Sequence, residues 1–368
     1  MNKKTYILVS VLAIVPFASV FARDPELLRA SAAVEVPAAP RASADINSLK
    51  AQCDEYYSAL QVYSDKAYAA PQDSPEFLEY SSAGKYLRAV IDNLSARINR
   101  ETGLAYQPEP SRDGGRVSSK VAAEVDGVFN FSDLRGGETR GVPIKQGYCQ
   151  INYVKNNTPF LVQYDGFLNK GEVILTFDDG PGPLTEEVSA SMKDAGAQAL
   201  FFVLGANLGD NGKARLKIEA AAGHLVGVHG YNHATPSGKP FTALSLDETL
   251  RQLGNVNSSI DSAIGKKPAF FRPPYGVISP EAVRAIYSDL GLVPVGWTID
   301  TLDWSTKDPD TLYRNTISMI AKRGKGIVLM HDIHPQSRTA SKRLVKWLAD
   351  NGYKVVSPER LVQAYKAE

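Results

Sequence analysis

From Gly171 onward the chain alternates short apolar runs with helix-length polar segments. The runs are Val173–Thr176, Ala199–Val203, Leu225–Val228, Ala269–Phe271, Val293–Trp297, Ile327–Met330 and Tyr353–Val356. Strands that alternate with helices pair in parallel, so seven such repeats predict an α/β fold, a closed or nearly closed β/α barrel. A doubly wound open sheet is the alternative. Start signals lie between the runs. Ser245 and Glu248 form a capping box, and Ser279-Pro280, Asp308-Pro309 and Ser357-Pro358 each set a cap residue before a proline.

Upstream the period changes. Leu49, Cys53, Tyr56 and Leu60 fall three or four apart, which predicts one buried helix face. A second helix is expected from Ser74-Pro75-Glu76 through Leu87, Val90, Ile91 and Leu94, pairing with the first as a hairpin. Residues 105–170 read as turns and short strands. Residues 23–45 are rich in Ala and Pro and read as a linker. The first residues are of another kind: Lys3 and Lys4, an apolar run from Tyr6 to Phe17, then Val20-Phe21-Ala22. That is the form of a signal peptide cut after Ala22. Pro16 interrupts the run, which is shorter than the roughly 20 residues a bilayer needs. No cysteine directly follows the cut to take a lipid, so no stable membrane anchor is expected after cleavage. The expected organisation is a signal peptide (1–22), a linker (23–45), a helical hairpin with accessory region (46–170) and a catalytic domain (171–368). The product would be exported, periplasmic or extracellular.

Of 368 residues, 43% are hydrophobic and 22% charged, a globular composition rather than a disordered or fibrous one. Losing Lys3 and Lys4 with the leader moves the formal net charge from +1 to −1. A nearly neutral chain gives no electrostatic case for nucleic acid, whereas an uncharged polymer suits it. The two cysteines, Cys53 and Cys149, are expected to pair in an exported protein and so tie the hairpin to the main domain.

Candidate chemistry gathers just after the predicted strands, the catalytic face of a β/α barrel. The first strand ends in Asp178-Asp179-Gly180, and the third in His229 with His233 four residues on. Two imidazoles and a carboxylate such as Asp179 form a set suited to a catalytic metal with open positions. The fourth strand leads to Arg272-Pro273-Pro274-Tyr275-Gly276, whose prolines rigidify the backbone. The fifth precedes Asp300-Thr301-Leu302-Asp303-Trp304, and the sixth ends in Leu329-Met330-His331-Asp332. Taken singly, each is an ordinary loop or core feature; five in order at one face are not.

These five motifs, over roughly residues 171–365, resemble the polysaccharide deacetylases of the NodB-homology type, carbohydrate esterase family 4. The resemblance implies a distorted seven-stranded β/α barrel with an N-terminal extension. It implies Asp178 as general base, and a divalent cation on Asp179, His229 and His233, Zn2+ first, with Co2+, Ni2+ or Mn2+ as substitutes. Arg272 would orient Asp178, and the Tyr275 main-chain N–H would face the oxyanion. Asp303 would set the charge of His331, the general acid, while Trp304 and Leu329 would wall the acetyl pocket. His224 and His334 have no family role and are read as structural. The second motif departs from the family, with Gly230 where Ser or Thr is usual and Ala234 where Pro is usual, so the metal loop is expected to be reshaped.

The implied partner is a polysaccharide, peptidoglycan at its N-acetylglucosamine units, with chitin, another N-acetylglucosamine polymer or an acetylated xylan as alternatives. The intact Asp178-Asp179 pair leans away from the family branch that attacks muramic acid. A silent barrel that only binds glycan is the reading from another class. Asp178 and His331 argue against it, because binding alone needs neither base nor acid.

Overall fold

The structure, a computed structural model, describes residues 45–71, 74–110, 116–129, 141–154, 158–233, 241 and 244–367. The expected signal peptide, nearly all of the linker and Ala234 lie outside the described residues.

Helix α1 (Ile46–Ala69) buries Leu49, Cys53, Tyr56, Leu60, Tyr63 and Ala67 along one stripe. Helix α2 (Pro75–Thr102) starts where the Ser74 hydroxyl accepts from the Phe77 N–H at 3.1 Å, and stops at Gly103 in the left-handed region. The two pack together as a hairpin. A third helix, α3 (Ser119–Phe129), stands where turns and short strands were expected. Its Val121 and Val125 enter the hairpin core, and its Glu124 accepts from Tyr86 Oη at 2.6 Å and from Tyr56 Oη. That core continues into the barrel domain, since Leu302 and Trp304 belong to it.

Strands β1 (Gly141–Lys145), β2 (Cys149–Val154) and β3 (Thr158–Gln163) form a small antiparallel sheet. The parallel sheet follows: β4 (Glu172–Gly180), α4 (Thr185–Asp194), β5 (Leu200–Val203), α5 (Asp210–Ala221), β6 (Leu225–Val228), α6 (Leu246–Ile264), β7 (Phe270–Phe271), α7 (Pro280–Leu290), β8 (Val293–Pro294), β9 (Ile299–Asp300), α8 (Pro309–Arg323), β10 (Gly326–His331), α9 (Pro335–Asp350), β11 (Lys354–Val355) and α10 (Glu359–Lys366). Spatial order is β8-β7-β6-β5-β4-β10-β9, with β11 paired to the start of β4. The path of seven parallel strands curls into the expected distorted barrel. It does not close by hydrogen bonds: β8 and β9 are its two edges, and Val295–Thr298 crosses between them. β4, β5, β6 and β10 are almost wholly buried, as strands covered on both faces must be, and read as continuous apolar runs.

Two expectations change here. The fifth predicted strand stops at Pro294, and the separate short β9, beside β10, delivers Asp303. The Cys53–Cys149 bridge is not made. Cys53 lies in the hairpin core with its thiol 3.4 Å from Ser95 Oγ, while Cys149 is buried in the barrel-side core. The two sulfurs serve different cores as small apolar groups.

Candidate active site

Strand β4 carries the acidic turn to the open face of the barrel. Asp178, 3% exposed, lies in register with His331 of β10. Arg272, just after β7, is fully buried behind it. Its Nη1 donates to Asp178 Oδ1 at 2.7 Å and to Thr176 Oγ1 at 2.8 Å. Nη2 donates to the Gly296 carbonyl at 2.7 Å and Nε to that of Val295 at 3.1 Å. The guanidinium also stacks over Phe202, 4.4 Å from the ring centre. An arginine fork bonded through all three of its nitrogens is fixed in place, and it fixes the carboxylate it holds.

Asp179 departs from its neighbour because its backbone is left-handed, at φ 72°. Asn207 Nδ2 donates to its carbonyl at 2.8 Å and holds the turn. The Asp179 carboxylate faces His229 Nε2 at 3.4 Å and His233 Nε2 at 3.8 Å. Burial alone would raise its pKa, but the imidazoles of His233, His229 and His331 hold it well below the carboxylate range. His229 Nδ1 lies 2.8 Å from the Arg272 carbonyl, which can only accept, so Nδ1 carries the proton and Nε2 offers its lone pair. The His233 ring stands edge-on to Tyr275, 4.5 Å between centres.

One ligand atom from each of Asp179, His229 and His233 lies within 4.8 Å of the others. Asp179 Oδ1 is buried with no hydrogen-bond donor. A buried anionic oxygen beside two imidazole nitrogens is a donor set that fits a divalent cation. The glycine of the second motif is accommodated by the backbone. Gly230 sits at φ 87°, and a Cβ there would come within 3.2 Å of Phe241, so glycine suits this loop where the family's hydroxyl residue would be strained.

His331 ends β10. Its Nδ1 lies 2.7 Å from Asp303 Oδ1, and its backbone N–H donates to Asp303 Oδ2 at 2.7 Å. Asp303, fully buried, also accepts from Ser337 Oγ, and Gln336 Nε2 donates to its carbonyl at 2.8 Å. Burial would lower the His331 pKa, but the Asp303 charge and hydrogen bond, with Asp179 and Asp178 beyond, raise it to about 10. The imidazole is thus cationic at neutral pH, with Nε2 facing the site 3.9 Å from Asp179 Oδ2.

A single pocket receives Asp178, Asp179, His229, His233, Tyr275, Trp304, Leu329 and His331, and Arg272 and Asp303 stand directly behind Asp178 and His331. Four further lining residues, Arg88, Trp297, Ile333 and His334, had no expected role at the site. His334, read as structural, faces the pocket 5.6 Å from the His331 ring, and Arg88 reaches it from α2. His224 lies elsewhere, between Ser189 and Ala199, in keeping with a structural role. Tyr68 of α1 donates to the Thr301 carbonyl at 2.6 Å, so the hairpin braces the loop that carries Asp303 and Trp304.

Residues 166–295 match the family model described as polysaccharide deacetylase. A peptidoglycan-N-acetylglucosamine deacetylase of Bacillus cereus is 36% identical over 188 residues, 49% of this chain and 66% of its own length. A second from the same organism is 32% identical over 222 residues, 60% of this chain and 74% of its own length. A peptidoglycan-N-acetylmuramic acid deacetylase of Bacillus subtilis is 31% identical over 200 residues, 54% of this chain but only 40% of its own length. The motif order, the barrel and the coverage of the second Bacillus cereus protein place this chain in the polysaccharide deacetylase family.

Proposed function

We propose that this chain is a metal-dependent N-deacetylase that hydrolyses acetamido groups on an exported polysaccharide, N-acetylglucosamine of peptidoglycan foremost. One observation carries the reading: a buried carboxylate and an imidazole face one pocket, each locked by its own buried partner, Asp178 by Arg272 and His331 by Asp303. A site that only bound glycan would need neither pair. Relatives named for peptidoglycan support the substrate, and the leader-like N-terminus supports export. Among the described residues no helix is long and apolar enough to cross a membrane.

Amide hydrolysis needs a base for water, donors for the tetrahedral oxyanion and an acid for the departing amine. Asp178 takes the proton from the attacking water, its oxygen held at fixed angle by Arg272. The Tyr275 main-chain N–H, in a left-handed turn at φ 58°, donates to the oxyanion. His331 Nε2 gives its proton to the leaving nitrogen, and Asp303 stabilises the imidazolium before transfer. Trp304 and Leu329 exclude water around the acetyl methyl. Asp179, His229 and His233 would hold a divalent cation, zinc in the first instance, which when bound supplies Lewis acidity towards the carbonyl and eases deprotonation of water.

Acetate release from peptidoglycan strands, with metal content measured on the same sample, tests this. Asp178→Asn should lose acetate release and keep its metal, and unchanged turnover would remove Asp178 as base. His229→Ala should lose metal, and full occupancy in that variant would refute the triad.

A further inference from the structure

Glycine is a poor residue for a helix interior, yet Gly84 stands well inside α2. The reason is a neighbour from the barrel. A Cβ on Gly84 would come within 2.5 Å of Trp304 Cη2 and 3.2 Å of Cζ3, so the outer edge of the indole lies on the α2 backbone. Leu60 of α1 closes the same contact, its Cδ1 3.7 Å from that point. Gly84 and Leu60 are buried, and Trp304 is only 6% exposed. The same indole lines the pocket with Leu329 and His331. One ring therefore touches the hairpin and bounds the pocket.

The loop that carries the ring is held from the same side. Leu302 is left-handed at φ 54°, a conformation that costs a residue with a Cβ and persists only where its surroundings impose it. Its side chain is fully buried in the hairpin core. Tyr68 Oη donates to the Thr301 carbonyl at 2.6 Å, and Ser305 Oγ to that of Leu302 at 2.8 Å. With the backbone fixed on both sides of Trp304, the ring stands where Gly84 and Leu60 let it stand. A close-packed wall responds to a single methylene, and an apolar pocket separates substrates one methylene apart by about 10- to 200-fold.

We propose that the N-terminal hairpin gauges the acyl group: Gly84 and Leu60 set how far the Trp304 ring reaches into the pocket, and so confine hydrolysis to acetamido groups. The inference rests on the deacetylase reading and deepens it, because it assigns the limit on acyl length to residues outside the barrel. Gly84 and Leu60 act through Trp304 and are positioning residues. A glycan bearing N-propionyl groups is then refused by the hairpin, while the barrel supplies the chemistry.

Chitosan oligomers carrying N-formyl, N-acetyl or N-propionyl groups test it, with kcat/KM read from the acid released. Wild type should favour acetyl over propionyl by about tenfold or more. Two variants of the full chain should move the optimum in opposite directions. Leu60→Ala opens space behind the ring, and the acetyl-to-propionyl ratio should fall about tenfold. Gly84→Ala drives the ring forward, so acetyl should lose more than formyl, and propionyl more than either. Leu49→Ala is the control. It empties the same core about three turns earlier on α1, about 16 Å along the helix, and should leave both ratios as in wild type. A ratio unmoved in either Leu60→Ala or Gly84→Ala, whatever rate is lost, would mark a packing role and overturn the proposal. So would a wild type indifferent to acyl length, or a Leu49→Ala shift as large as that of Leu60→Ala. Should Leu60→Ala not fold, Leu60→Val and Gly84→Ala decide by the same ratios. Failure of the deacetylase reading looks different: Asp178→Asn would then release all three acids at the wild-type rate.

Discussion

Replacing Arg272 by Met keeps most of the aliphatic stem but removes a charge and four hydrogen bonds at 2.7–3.1 Å from a site with no solvent exposure. Asp178 would keep its charge with its cation gone, and the Val295 and Gly296 carbonyls would lose their donor. Removing one member of a buried ion pair costs about 3–5 kcal/mol, because the remaining charge is uncompensated. Each orphaned acceptor adds about 1–3 kcal/mol at most, less where water enters from the pocket. The expected loss is about 4 kcal/mol or more, measured by urea unfolding with fluorescence and circular dichroism as separate probes. The double variant Asp178→Asn/Arg272→Met tests the cause. With no lone charge left, it should recover about 2 kcal/mol of the single variant's loss. A single-variant loss under about 1 kcal/mol would place Arg272 among ordinary surface-like positions. A double variant no more stable than Arg272→Met would show that the lost hydrogen bonds, and not the stranded carboxylate, set the cost.

Gly84→Ala should raise the intrinsic helix propensity of α2 yet push the Trp304 ring into the pocket. Turnover should therefore fall severalfold with metal content unchanged, and a fully active Gly84→Ala enzyme would separate hairpin from site. His224 concerns stability. Burial holds its pKa below the ordinary 6.5, with the Ser189 carbonyl opposing and Lys193 adding to the shift. The unfolded chain thus binds the proton first as pH falls, and stability rises with pH through the window just below 6.5. His224→Gln should flatten that part of the curve of unfolding midpoint against pH. Parallel curves for variant and wild type would clear His224 of the effect.

Most of the site was legible because its chemistry is tied to local pattern. A strand buried on both faces reads as an apolar run, and the first polar residue after it is a functional one, as at Asp178, His229, Arg272 and His331. What escaped was tertiary. An arginine on an amphipathic helix reads as solvent-facing, and only the docking of α2 on the Thr301–Thr306 loop turns Arg88 inward. His334 was hidden by the same cause: nothing in its spacing from His331 says that the hairpin roofs it over. β9 is two residues long, too short for a periodicity. The α3 signal was present in Val121 and Val125, four apart behind Ser118, whose hydroxyl accepts from the Val121 N–H, but a helix of 11 residues among glycines was easily read as turns. Cysteine parity carries no distance, and the expected bridge failed for that reason.

The seam between β8 and β9 has one more consequence. A closed parallel barrel satisfies its carbonyls strand to strand and leaves none for a side chain in its interior. Here Val295–Thr298 cross the gap, and only the N–H groups at their two ends bond to neighbouring strands, at the carbonyls of Phe271 and Ile327. Two of their carbonyls turn to Arg272, and Gln163 Oε1 of β3 takes the Gly296 N–H at 3.0 Å. The missing strand thus provides the socket in which a buried arginine can be fixed. A designer who completed the sheet with an eighth regular strand would obtain a tidier barrel and lose the anchor of its base, so in this fold the defect in the ladder and the order in the site are one feature.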